Sequence, residues 1–486
     1  MKPVIKSEYQ PLKKIIVHTP GAEHQQLIPW EGDHPLMGRY PRSFTELQRN
    51  HGDLKNFLIE ECGSENVLEV TELLTDIFSD ADYRRRYTIL KDILEENADR
   101  YADSLQARGI KLEDYPPAKI ARDLVHGYPR KLVLNNGKLP NVVIPPKREI
   151  MWVRDAAAVT PAGVVINSMA SKRRADEPGI IRAIFKYHEM FDPGSIFLDL
   201  VDFNRKVRDD LTRSGLQHTY LSEGGNVLVL SEDTLAIGVG KYDFLYSNRT
   251  TRMAFYLMVE KLLEADTEKK IRRIYLVNVP DLRGFIHLDT VFNMFAPQSA
   301  IAMPYIFGYP KPARSDKSAA DVLQAFVKWL RRNMGGLQTD LSRIPTEEHF
   351  EYAGRCEVYD RDYIEKVGRV ERLPQKAKYF FEQLVDDGLL DLNRVVWLGG
   401  DPDDFVNAFD HLRAALFEQH NMAGNIFCTA PYRAVAYHRN PTTVTALRSL
   451  MKKLHPGAFL AEMSSNEIRT DNGGPHCLTL PLLREE

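Results

Sequence analysis

The sequence predicts an α/β fold. Three observations carry that prediction: short runs rich in β-branched residues recur along much of the chain, helical stretches separate them, and the order strand, strand, helix, strand returns several times. No fixed period accompanies the recurrence, so the units are alike in pattern and unequal in length. At 486 residues, one large domain with insertions or two to three domains is the prior expectation.

The first element, Leu12 to His18 (LKKIIVH), runs into a turn at Thr19-Pro20-Gly21. Apolar residues then recur at helical spacing from Ser43 to Glu60, and Val67 to Val70 returns as a short strand. From about Thr75 to Tyr115 the pattern becomes long and charged, with Tyr87, Leu90, Ile93 and Leu94 on one helical stripe, which predicts an inserted helical subdomain over 78–147. Prolines at 116, 129, 140, 145 and 146 break regularity until Met151. The main body is thus expected in two pieces, 1–77 and 148–486. Its strands are predicted at Gly163 to Asn167, Asn226 to Ser231, Leu235 to Gly238, Ile274 to Val279, Val395 to Leu398, Asn425 to Cys428 and Ala434 to Tyr437. Helices are predicted at Arg252 to Glu264, Ala319 to Met334, Lys376 to Leu384, Phe405 to Glu418 and Thr442 to Leu454, and the stretch 309–375 is a second candidate helical insertion.

Composition narrows the class. A net charge of −3 argues against a nucleic-acid binder, which needs a basic domain or stripe. The clusters Arg84-Arg85-Arg86 and Lys172-Arg173-Arg174 are short, the usual mark of a solvated face. Four cysteines (Cys62, Cys356, Cys428, Cys477) without CxxC spacing make disulfides and zinc sites unexpected, and the histidines form no HExxH pair, so no metal is expected. The amino terminus lacks the apolar core and cleavage site of a signal peptide, and no apolar run reaches membrane-spanning length, so a cytoplasmic enzyme without membrane partners is expected.

Four stretches have the character of a site. Gly473-Gly474-Pro475-His476-Cys477 delivers a cysteine on a tight turn at the start of an apolar run, a nucleophile's position, although a buried structural thiol has the same appearance. In Met151-Trp152-Val153-Arg154-Asp155 an aromatic and an acid flank an arginine just before a strand; a plain loop ion pair also fits. In Ser222-Glu223-Gly224-Gly225-Asn226 two glycines let the backbone turn sharply after an acid, as a simple hairpin would also need. His287-Leu288-Asp289-Thr290-Val291-Phe292 is expected to place His287 and Asp289 on one face of a strand. Together these offer a thiol, an imidazole and three carboxylates, scattered along the chain as an assembled active site usually is. A Cys-His-Glu amide hydrolase is the generic reading. So many acids further suggest a cationic substrate.

These motifs resemble the arginine deiminases, within the guanidino-group-modifying enzymes. The likeness runs from Leu12-Lys13-Lys14-Ile15-Ile16-Val17-His18-Thr19-Pro20-Gly21 through VRD at Val153 to Asp155, EGGN at Glu223 to Asn226, HLDTVF at His287 to Phe292 and APYRAVAYHRN at Ala430 to Asn440, to GGPHC and the closing PLLRE. The resemblance implies a fivefold pseudo-symmetric α/β propeller with a helical insertion and a central site. It implies that Cys477 attacks the guanidinium carbon to form a thiouronium intermediate. His287 then serves as general acid and base, Glu223 orients it, and Asp155 and Asp289 hold the guanidinium nitrogens. Trp152 stands where an aromatic stacks on the cation. Arg174 and Arg249 stand where arginines grip the substrate carboxylate. No cofactor is implied. The partner is a small guanidino compound, and the oligomeric state stays open, a homo-oligomer included.

Three positions depart from the family pattern. Asn226 replaces an aspartate, Asn472 an arginine and Glu149 an asparagine, so the amino-acid end of the pocket loses a positive charge and gains a negative one. These changes count against free arginine unless Arg174, Arg249 or Arg469 compensates; L-arginine is still the leading substrate, with agmatine or an arginine derivative close behind it. An arginine dihydrolase, an amidinotransferase and a non-catalytic binding protein are the other readings.

Overall fold

The computed structural model describes the chain except residues 27–42, 80, 130–141, 214–219, 241–248, 281–283, 311–317, 335–351, 469–472 and 486. The fold is mixed α/β, and its strands fall into five sheets. In the first, β1 (Leu12–Val17) lies parallel to β2 (Val67–Glu69) and antiparallel to β17 (Leu480–Arg484). In the second, β3 (Ala157–Thr160) is antiparallel to β4 (Gly163–Ile166), which is parallel to β5 (Ile196–Asp199). The third repeats this with β6 (Val227–Ser231), β7 (Thr234–Val239) and β8 (Arg273–Asn278). The fourth uses β9 (Phe292–Ala296), β10 (Gln298–Ala302) and β13 (Leu390–Trp397). The fifth uses β14 (Phe427–Ala430), β15 (Arg433–Tyr437) and β16 (Phe459–Met463).

Every sheet therefore contains one central strand with an antiparallel neighbour on one side and a parallel neighbour on the other. A hairpin supplies the first pairing within four of the sheets, and a helical crossover supplies the second, because a parallel partner needs a long connection. Helices Phe44–Cys62, Glu177–Tyr187, Arg252–Ala265 and Pro441–Leu454 fill four of these crossovers. The first sheet differs in one respect: its antiparallel strand comes from the other end of the chain, so the first and last strands lie side by side. The sequence shows no period because the crossovers differ widely in length.

Within the expected insertion 78–147, the helices Tyr83–Leu94, Asn97–Gln106 and Pro117–His126 follow one another. Leu90, Ile93 and Leu94 are buried, joining one core cluster with Ile180, Ile181 and Ile184 of the main-body helix. Arg86 is not on a solvated face. It is buried and donates to the carbonyls of Ala81, Leu112, Glu113 and Tyr115, so the charge is spread over main-chain acceptors of the surrounding loops. The stretch 309–375, expected to be helical, holds among its described residues the helix Ala319–Met334, β11 (Arg355–Asp360) and the short helix Arg361–Val367. Strand β11 pairs antiparallel with β8 and with β12 (Lys378–Tyr379), widening the third sheet.

Among the described residues no helix is long and apolar enough to cross a membrane.

Candidate active site

The residues singled out in the sequence occupy equivalent places in the sheets. Each stands just before the strand that forms the antiparallel edge: Asp155 before β3, Glu223 before β6, His287 and Asp289 before β9, and Cys477 before β17. The fifth such place, before β14, belongs to Asn425, which sequence reasoning missed. Its side-chain oxygen accepts from the Cys477 backbone N–H at 3.1 Å, and its amide donates to the Asp289 carbonyl at 3.2 Å. The topological equivalence is the signal that finds it, and it becomes visible only once the sheets are paired.

Local backbone explains how these groups come close. Cys477 sits in the turn over 475–478 that leads into β17, and Arg154 clamps that turn by donating from Nε to the carbonyls of His476 (3.3 Å) and Thr479 (3.0 Å). Arg154 also reaches Glu8 at 3.4 Å, so it is a buried structural tie and not a loop ion pair at the surface. His287 and Asp289 do not share a strand face. They flank and occupy a 3-10 turn, Leu288–Thr290, closed by the Thr290 hydroxyl on the His287 carbonyl at 2.7 Å; β9 starts later, at Phe292. A β-carbon at Gly225 would lie 2.5 Å from His287 Nδ1, so the glycine is what admits the ring.

The chemistry-bearing atoms form two overlapping groups. One donor atom each from His287, Asp289 and Cys477 lies within 4.8 Å of the others, and the same holds for Asp155, Glu223 and His287. All five side chains are buried. His287 Nε2 meets Glu223 Oε2 at 2.8 Å, its Nδ1 lies 3.6 Å from Asp155 Oδ1, and the Cys477 thiol points at Asp289 Oδ2 at 3.6 Å. Asp155 Oδ1, Asp289 Oδ1 and His287 Nδ1 are buried without a hydrogen-bond partner. These two groups are also the sets of described residues with donor atoms close enough to share one metal ion, a thiol and an imidazole being the softer set.

Electrostatics divides their roles. Burial pushes the Cys477 thiol well up, and the charges of Asp289 and Asp155 push it further, against smaller help from Gly474 and Asn425. Burial disfavours the His287 imidazolium, yet Asp155, Glu223 and Asp289 outweigh it and raise the ring above the ordinary histidine value. Burial also opposes ionisation of Glu223, but Arg249, His287 and Arg174 hold that carboxyl well below its usual range.

The arginine-rich end is arranged differently from expectation. Arg174 Nη1 lies 2.5 Å from Asp155 Oδ2, its Nε 2.8 Å from Glu177, and its Nη2 donates to the carbonyls of Glu149 and Trp152. Arg249 meets Glu223 at 3.3 Å and retains 22% side-chain exposure. Glu149 is met by Arg148 at 2.5 Å, Arg173 at 3.3 Å and Arg174 at 3.6 Å. Burial raises its carboxyl, and these arginines together with Arg249 bring it below the ordinary value. Trp152 is buried, and a β-carbon at Gly473 would fall 2.4 Å from its ring. Asn226 contacts the protein's own loops: Oδ1 accepts from the Leu288 N–H at 2.9 Å and Nδ2 donates to Thr250 at 3.0 Å. It braces the His287 turn. Asn472 and Arg469 lie outside the described residues.

A buried thiol beside an imidazole and several acids, gathered from equivalent loops, defines the class of enzymes that break carbon–nitrogen bonds in amidines by cysteine chemistry. Comparison with known proteins gives the family: the family model described as Arginine deiminase matches residues 41–328 and 378–484, and the chain belongs to that family. It is 25% identical over 496 residues to an arginine deiminase of Listeria welshimeri, covering 99% of this chain and 98% of that one. It is 26% identical over 504 residues to that of Borrelia duttonii, covering 100% and 99%. Solved structures with some likeness include SxtG, an amidinotransferase from Microseira wollei (TM-score 0.44, 11% identity, covering 100% of this chain and 98% of that one). Another is a DDAH mutant from Pseudomonas aeruginosa complexed with citrulline (TM-score 0.43, 12% identity, covering 96% and 98%).

Proposed function

We propose that the protein hydrolyses L-arginine to L-citrulline and ammonia, with Cys477 as nucleophile. The observation that carries this reading is the pair of buried carboxylate oxygens, Asp155 Oδ1 and Asp289 Oδ1, that have no donor although both belong to the groups around the thiol and imidazole. Buried acceptors without donors are costly, and a planar guanidinium supplies N–H groups and charge together. The Listeria and Borrelia relatives are named arginine deiminases, which points to arginine as the substrate here.

In this reading the guanidinium cation offsets the acids that hold the thiol protonated, so binding promotes the Cys477 thiolate. The sulfur attacks the central guanidinium carbon, and His287, protonated against Glu223, gives its proton to the departing ammonia. Water then attacks the thiouronium carbon and His287 takes its proton. The carbon–sulfur bond breaks, the thiolate returns, and the urea group of citrulline remains. Trp152 closes the wall over the site, and Arg249 serves the carboxylate end, while Arg174 stays on Asp155 and Glu177. Arg148 and Arg173 offset the charge added by Glu149, which favours retention of an anionic substrate end. We read the five sheets as blades of a pseudo-fivefold propeller, with 78–147 a helical insertion and 309–375 a second one that adds β11; the equivalence of the site-bearing loops supports the arrangement.

The test is mass spectrometry of purified protein with L-arginine, beside Cys477→Ala. Citrulline from wild type and none from the variant is the expected result. Ornithine with two ammonias would make it a dihydrolase, and turnover only with an added amine acceptor would make it an amidinotransferase. A second prediction concerns the carboxylate: kcat/KM for arginine should exceed that for agmatine by at least about tenfold, given the worth of one charge-assisted contact. Equal values would remove the carboxylate from recognition.

A further inference from the structure

His476, the residue before the nucleophile, has no part in the chemistry above, yet it has two ionic contacts. Its Nδ1 lies 2.8 Å from Asp289 Oδ2 and its Nε2 3.1 Å from Glu8 Oε2, with the ring buried against Phe427. A neutral imidazole donates from one nitrogen and presents a lone pair at the other. Against an ionised carboxylate that lone pair is repelled. Both carboxyls facing the ring are held in the charged form. Burial raises each, but Arg154 and Arg484 favour the ionised form of Glu8, and His287 and Arg154 that of Asp289, apart from anything His476 contributes. Two hydrogen bonds to two carboxylates therefore require a proton on each ring nitrogen.

The remaining neighbours agree. Arg154 donates to the His476 carbonyl and not to its ring; its Nη1 is directed to Glu8, and Arg484 donates to the carbonyls of Gln10 and Cys428. Glu8 Oε1 accepts the Val229 N–H at 3.2 Å, which fixes the acid on the far side of the ring. On the near side, Asp289 shares its Oδ2 between His476 and the Cys477 thiol, leaving Oδ1 without a donor.

We propose that His476 is a positioning residue: a buried imidazolium, held by Glu8, that pins Asp289 Oδ2, leaves Asp289 Oδ1 open to the substrate guanidinium, and offsets the acid's charge on the Cys477 thiol. The inference rests on Cys477 being the nucleophile and Asp289 a substrate-holding acid. It adds a cation supplied by the protein to the one supplied by the substrate. Glu8 then acts on the reaction from the opposite end of the chain.

The test reads the thiol directly, without substrate. Alkylation by iodoacetamide is followed against pH at the peptide carrying Cys477, because burial pushes Cys356 and Cys428 up to about 12 and Cys62 to about 11, and these respond separately. His476→Gln should move the midpoint up by about one pH unit, roughly a tenfold slower reaction at fixed lower pH, and should raise KM for arginine more than it lowers kcat. Glu8→Gln, on the opposite side of the ring from Asp289, should move the midpoint the same way by less, because the ring loses the partner that keeps it charged. If only bulk electrostatics acted, removing Glu8 would move the midpoint down. A downward or absent shift in Glu8→Gln, or an unmoved midpoint in His476→Gln, overturns the proposal. Alkylation at Cys477 is read whether or not arginine is turned over, so failure of the substrate assignment is seen separately.

Discussion

Gly225 shows how closely the site is bounded. A β-carbon there would meet His287 Nδ1 at 2.5 Å and Cγ at 2.8 Å. The imidazole is the only movable part of that contact, so Gly225→Ala should displace the ring from Glu223 rather than shift the backbone. A misplacement of about 1 Å typically costs about a hundredfold in rate. The expected outcome is a fall in kcat of that order with a melting temperature lowered by only a few degrees; a kcat within threefold of wild type would show that the ring position is not critical. The five residues Cys477, His287, Glu223, Asp155 and Asp289 were legible in the sequence because each sits beside glycines or within a short acid- or histidine-bearing motif. Asn425 was not legible. Ala423-Gly424-Asn425-Ile426 reads as an ordinary entry to a strand, and its partner Cys477 lies 52 residues further on. Asn226 was legible as a special residue but not in its use, since sequence cannot tell an amide facing a ligand from one holding the next loop.

At the level of elements, the site depends on loops held together across sheets. Asn425 joins the nucleophile turn to the Asp289 loop, and Asn293 adds a second tie by donating to the Asp289 carbonyl at 2.9 Å. Asn425→Ala leaves the buried Cys477 N–H without its partner, while the Asp289 carbonyl keeps its bond from Asn293, so it should destabilise the protein by about 1–3 kcal/mol. It should also lower kcat, because the sulfur-to-carboxylate spacing is no longer fixed. Urea unfolding together with steady-state kinetics checks both, and lost stability with unchanged kcat would separate the tie from the chemistry. The strands that the sequence showed were those with β-branched runs, such as IIV in β1 and VLVL in β6. Among those it hid were β3 (AAVT), β9 (FNMFA) and β10 (QSAIA). These are buried almost throughout, so they show no alternation, and their alanines lack strand character. The proline between β9 and β10 belongs to a tight hairpin in which Gln298 takes a φ of +57°.

At the scale of the whole molecule, the two ends of the chain are joined. β1 pairs with β17, Val4 N–H donates to the Leu482 carbonyl at 2.8 Å, and Glu8 reaches Arg154 and His476. Folding must therefore bring residues more than 450 positions apart into one buried ionic cluster before the nucleophile loop is complete. The cluster carries a pH signature. Burial alone would raise the Glu8 carboxyl, but Arg154, His476 and Arg484 hold it at about 2, below its ordinary 4.5. A carboxyl with a depressed folded value contributes stability that is present in full above pH 4.5 and is lost as pH falls toward 2. At about 1.4 kcal/mol per unit, the contribution is on the order of 3 kcal/mol. Glu8→Gln has no carboxyl to protonate, so its unfolding free energy should be lower than wild type at pH 7 and should fall less steeply between pH 4.5 and 2, the two curves converging at the acid end. Glu23, also held at about 2 by His18, His24 and the Gly21 N–H against its burial, contributes a similar slope to both proteins and leaves their difference to Glu8. Parallel curves across that window would mean that the charge at Glu8 is not linked to folding, and that the joined ends are held by the β1–β17 pairing alone.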